Sequence, residues 1–166
     1  MTKIVRVLRP GSTRDVSLFE TRDKAKGEKE AAFKKYQEQL EEWKDVVIVT
    51  KMIKRPEYVS YALEIERLRA ELDAKLKADK RDVNDVLMVE LEQHYLGYYK
   101  TVFDGCVETI KGINFQDDIT GEIVESTSLE KKELFELISQ CGLLHEVALA
   151  ALRGNRLSSD QKKISD

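Results

Sequence analysis

Val46-Val47-Ile48-Val49-Thr50 is the stretch on which the fold turns, because all five side chains are β-branched and the run follows a helical pattern without a break. Branching at Cβ stiffens χ1 and suits extended backbone. A short apolar run bounded in this way has the look of either a buried strand or a stretch of helix, and periodicity does not separate the two. The run is therefore a third strand or a stiff continuation of the preceding helix. We adopt the helix, ending before Pro56, since the residue ahead of a proline is pushed out of the α region and Arg55-Pro56 punctuates the chain.

Upstream, Asp23 to Asp45 is densely charged, yet Phe33, Tyr36, Leu40 and Trp43 recur at steps of three and four, the spacing of an amphipathic helix. Ile4 to Leu8 and Val16 to Phe19 flank Pro10-Gly11-Ser12-Thr13, which predicts an N-terminal hairpin over residues 3–20. Downstream, Tyr61, Ile65, Leu68, Leu72 and Leu76 form a narrow seam of coiled-coil type on a helix over about 57–80. Asp82 is placed to cap the next helix, about 82–111, whose apolar positions Val83, Leu87, Leu91, Tyr95, Tyr98, Val102, Cys106 and Ile110 keep the spacing throughout. The period breaks between Gly112 and Ser126, where Asp117-Asp118-Ile119-Thr120-Gly121 predicts a hairpin or compact loop. Thr127 with Glu130 reads as a capping box for a last helix over 128–153, stopping at Gly154, with residues 155–166 a disordered tail. The expected fold is mainly α: one compact helical domain over residues 1–154, with an N-terminal β-hairpin and a short hairpin or loop before the last helix.

The chain has 166 residues, enough for one domain with a real core. Its formal net charge of -3 comes from interspersed signs, which argues against nucleic acid or an anionic membrane as partner and makes a protein partner the default. The start MTKIVRVLRPGS lacks a signal-peptide pattern and no apolar run approaches the ~18 residues of a membrane span, so a cytoplasmic location is expected. Cys106 and Cys141 share no CxxC spacing, and each aligns with apolar neighbours, so both read as buried thiols.

Chemistry is sparse. Neither GxxxxGK[ST] nor GxGxxG is present, nor a GxSxG or SxxK nucleophile motif. His145-Glu146 begins like HExxH, but Leu149 occupies the second ligand position; on a helical wheel His145 falls among Leu134, Ile138 and Leu152, a packed core or interface histidine. His94 reads as a boundary residue. A calcium loop aligned on Gly121 would begin at Gln116 and end at Thr127, where acidic ligands are required. No catalytic residue, metal site or cofactor is expected, and the chain is read as a non-enzyme. What stands out is apolar surface: the last helix is apolar over more than one face, and tyrosines cluster in the long one. Tyr95, Tyr98, Tyr99, Phe135, Leu143 and Leu149 are the candidate partner-binding residues.

From Thr101 to about Leu157 the chain resembles the C-terminal half of the tail assembly chaperones of long-tailed bacteriophages and prophages. The features that carry this are Phe103-Asp104-Gly105-Cys106-Val107, Lys111-Gly112-Ile113, the turn from Asp117-Asp118 to Thr120-Gly121-Glu122, and Leu134-Phe135-Glu136-Leu137-Ile138 leading to Gly142-Leu143-Leu144. Phe103 stands where a tryptophan is frequent in that family, and the charged residues 22–82 lie outside the resemblance. It implies a homo-oligomer in the host bacterial cytoplasm, absent from the virion, that binds the tape-measure protein or tail-tube subunits until the tube polymerises. Members of that family are often extended by a frameshift near the C-terminus; Gln161-Lys162-Lys163 lies where a slippery codon pair could sit, the alternative being an ordinary lysine pair in a tail. A structural virion component at the head-tail junction and a bacterial regulator dimerising through the Tyr61 to Leu76 seam are the competing expectations.

Overall fold

Val46 to Thr50 is extended and sits at the centre of a sheet. The computed structural model describes residues 10–79 and 85–156. In it β1 (Thr13–Ser17), β2 (Val47–Lys51) and β3 (Val107–Lys111) form an antiparallel sheet in the order β1-β2-β3. The mainly α expectation is thereby corrected: helix predominates in amount, but the architecture is mixed, with two small sheets among five α-helices in the described residues. The physical reason is tertiary. Ile48, Val49 and Thr50 are buried, and β2 pairs on both edges, Ile48 lying opposite Val16 on one side and Ile110 on the other. A helix would leave those β-branched side chains no such partners.

The hairpin expected over 3–20 is also revised. Ile4 to Leu8 lies outside the described residues, and Thr13–Ser17 pairs with β2. The ladder runs past Thr13, since Gly11 N donates to Met52 O at 2.7 Å and Met52 N to Ser12 O at 2.7 Å. Helix α1 (Glu30–Glu42) is shorter than the expected 23–50. Helix α2 (Arg55–Asp79) takes Pro56 into its first turn, where a missing N–H costs nothing. Its seam is used inside the chain: Leu68 is buried, Tyr61 and Ile65 pack on the core, and Leu68 O meets His94 Nε2 of α3 (Asp85–Cys106) at 2.9 Å. The Asp82 cap lies outside the described residues.

Helix α3 passes straight into β3, so the expected helix to 111 ends at Cys106. The register shifts between Val49 and Thr50: Thr109 faces Val49, Val107 faces Thr50, and Glu108 is the extra residue of a β-bulge. β4 (Asn114–Gln116) and β5 (Ile123–Glu125) form the second sheet, closed by Asp117 Oδ1, which accepts from the backbone of Ile119 at 2.9 Å and Thr120 at 2.7 Å. These bonds hold the Asp117 carboxyl below its usual range. Ser126 follows in a short 3₁₀ turn, and its Oγ donates to Ile110 O at 2.6 Å, tying the hairpin to the sheet.

The single helix expected over 128–153 is two, α4 (Lys131–Gln140) and α5 (Leu144–Gly154), broken at Gly142 with φ 72°. Only glycine enters that left-handed region without strain. The capping box is built by Glu130 and Glu133, not Thr127. Two helices each with its own buried face explain why the segment looked apolar on more than one side. Ala148, Ala150 and Ala151 let α5 approach closely, and a Cβ at Gly154 would lie 2.7 Å from Val16 Cγ2. Asn155, expected to begin the tail, is instead buried: its Oδ1 accepts from Ile53 N at 2.9 Å and its Nδ2 donates to Lys51 O at 3.2 Å, fastening α5 to the end of β2. The core joins Leu18, Ile48, Phe103, Ile110, Leu134, Ile138 and Val147 between the sheet and α3, α4 and α5. Each fully buried large side chain contributes about 1.5–3 kcal/mol by transfer alone.

Candidate binding groove

Helix α5 buries its alanines against the sheet and turns Leu149, Leu152 and Arg153 the other way, at the i, i+3, i+4 spacing of one helical face, and Arg156 follows two residues past its end. With Tyr58, Ile65 and Arg69 of α2 and Tyr98 of α3, they line a groove of about 530 Å³. An adjoining recess of about 270 Å³ on the far side of Leu149 is lined by Phe19, Tyr36, His145 and Glu146 among others, and Glu20, Leu149 and Arg153 border both. The segment carrying Glu20 is held in place by α1. The Arg22 guanidinium lies 4.2 Å from the Tyr36 ring centre and pairs with Glu28 at 2.7 Å, while Tyr36 Oη donates to Glu20 O.

Leu149 is 37% exposed between the two hollows, an aliphatic side chain with its outer half uncovered. Beneath it the polar groups are unevenly satisfied. Arg69 pairs with Glu66 at 2.9 Å; Arg153 donates to Ser17 O and lies 3.9 Å from Glu20, and burial lowers its pKa. The Arg156 backbone N–H donates to Arg153 O, but its guanidinium has no hydrogen bond or ion pair among the described residues. Tyr98 is 7% exposed and its hydroxyl is buried without a partner; burial pushes it up to about 12, with Arg69 acting in the opposite sense. The phenol therefore stays protonated, a donor in want of an acceptor. Glu146 Oε2 is likewise buried and unpartnered beside the recess.

Of the residues expected to meet a partner, Tyr98 and Leu149 do come together in the groove. Tyr95 and Tyr99 stack at 5.9 Å, half-buried on the core, and line neither hollow. Tyr99 Oη, kept protonated by burial that pushes it up to about 12, is hydrogen-bonded to His145 Nδ1 at 2.6 Å. His145 is exposed at the mouth of the recess rather than packed among Leu134 and Ile138, because the break at Gly142 shifts the phase of the wheel between α4 and α5. Phe135 packs edge-on to Phe103 at 5.4 Å under Lys100, and Leu143 packs at the α4–α5 junction; both serve the core. Sequence reasoning missed Tyr58, Arg69, Arg153 and Arg156. The spacing from Leu149 to Arg153 was a usable signal; the approach of α2 was not.

No known protein family, curated protein or solved structure matches this chain. Its site is thus described by its own chemistry. Among the described residues no three His, Cys, Asp or Glu side chains converge to hold a metal ion, and no helix is long and apolar enough to cross a membrane.

The two cysteines differ, which corrects the expectation that both are buried. Cys106 is enclosed between α3 and the sheet and burial pushes its thiol up to about 11, whereas Cys141, at the end of α4, is exposed. A thiol reagent at neutral pH should modify one cysteine per native chain, Cys141, and two in denaturant. Two rapid equivalents under native conditions would contradict the packing of Cys106.

Proposed function

We propose that the chain is a non-catalytic assembly factor of the phage tail chaperone type, acting in the host cytoplasm by holding an amphipathic helix of the tape-measure protein against α5. The observation that carries the reading is Leu149, left half-uncovered between a groove with Ile65 and Leu152 on one side and a recess with Phe19 and Tyr36 on the other. Adjoining hollows along one helix suit the side chains of a docked helix, which anchors itself at i, i+3, i+4 and i+7. The residues behind the family resemblance support it differently, through the fold: Phe103, Cys106, Val107, Leu134 and Ile138 are all core. Self-association belongs to the same proposal, and Val59 and Leu63, exposed one turn apart on α2, offer a surface for it.

Leu149→Asp tests the partner surface. Titrated against helical segments of a tape-measure protein, the variant should lose about tenfold or more in affinity, since a charge replaces a desolvated aliphatic anchor. Its melting temperature should fall only modestly and the chain should stay folded, because the outer part of that side chain is already uncovered. Unchanged affinity, or no binding of any segment by the native chain, would remove the reading.

A further inference from the structure

The groove's charges do not balance. Both of its acidic side chains face an arginine within the chain, Glu66 with Arg69 at 2.9 Å and Glu20 with Arg153 at 3.9 Å. The third arginine, Arg156, is exposed and has no counter-charge among the described residues. This surplus cation shares a wall with exposed Leu149 and half-buried Leu152.

We infer that the segment this groove accepts is acidic as well as apolar, with a Glu or Asp carboxylate placed one helical turn from an aliphatic side chain. The carboxylate sits on Arg156, while the aliphatic side chain covers Leu149 and Leu152. A carboxylate suits Arg156 because it is acceptor-only and gains charge-assisted hydrogen bonds from a guanidinium. A lysine-bearing segment would meet Arg156 as a like charge, and a purely apolar one would cover Arg156 with nothing to bond. The inference rests on the docking role proposed above and specifies what docks.

The test uses the full chain and three labelled synthetic helical peptides that share one leucine face and carry Glu, Gln or Lys one turn beyond it, followed by fluorescence anisotropy. The Glu peptide should bind about tenfold more tightly than the Gln peptide, the effect of one hydrogen bond to a charged group. The Lys peptide should bind most weakly. Arg156→Gln should erase the Glu-over-Gln preference, and Arg156→Lys, which keeps the charge, should retain most of it. Equal binding of Glu and Gln peptides, with Leu149→Asp still weakening both, would overturn the carboxylate assignment and leave the docking role standing. Binding of all three that ignores Leu149→Asp, or no binding at all, would overturn both. Displacement of the Glu peptide by inorganic phosphate at matched concentration would reassign Arg156 to a phosphate.

Discussion

Phe103→Ala is expected to destabilise the protein by about 3–5 kcal/mol, the range for deleting a fully enclosed aromatic ring. Phe103 is 0% exposed, lies in the last turn of α3 just before the chain enters β3, and meets Phe135 edge-on. Its loss would remove the buried area and leave a cavity among helices and sheet that are tied too tightly to collapse into it. The midpoint of urea unfolding followed by circular dichroism should fall, and for a chain of this size the melting temperature should drop by roughly 10 °C. A shift below about 1 kcal/mol would mean that the end of α3 is not packed as described.

Gly112→Ala should have the second largest effect. Gly112 has φ 81°, and an added Cβ there would overlap the Asp45 carbonyl oxygen and stand 2.9 Å from its carbon. Left-handed backbone costs a non-glycine residue roughly 1–2 kcal/mol. The overlap is with backbone just ahead of β2, which cannot rotate aside as a side chain can, so a total near 3 kcal/mol is expected. Gly142→Ala provides the internal comparison. Its φ of 72° is similar, but nothing lies within 4 Å of the added atom, so only the conformational cost of about 1 kcal/mol should appear. Equal effects at the two glycines would refute the close approach of Gly112 to Asp45.

Much of the helical content was legible because amphipathic spacing survives folding: α2 begins within two residues of its expected start, and the hairpin of β4 and β5 lies where the period breaks. Val46 to Thr50 was illegible because its decisive partners, β1 and β3, lie far away in sequence. The end of α3 misled for a different reason. The bulge at Glu108 places buried Val107 and Ile110 three residues apart, so a strand continued the helical rhythm of Val102 and Cys106. Gly142 was a readable stop signal that the apolar run on either side concealed. In the groove, Tyr98 and Leu149 were found as apolar excess, while Arg156 fell beyond the expected helix end and was assigned to the tail. Arg69 and Tyr58 join the site only through the packing of α2, which no local pattern encodes.

The central sheet also sets the order in which the protein can mature. Its strands, Thr13–Ser17, Val47–Lys51 and Val107–Lys111, come from early, middle and late synthesis, and closing such long loops must precede the gain from pairing. On the ribosome β2 waits for all of α2 and α3 to emerge before β3 can cover its second edge. Helix α5, which lies across β1 and β2 and is fastened by Asn155, arrives later still. A nascent chain halted before Leu144 therefore carries β-branched strands with an open face, the state in which this protein itself is most prone to aggregate.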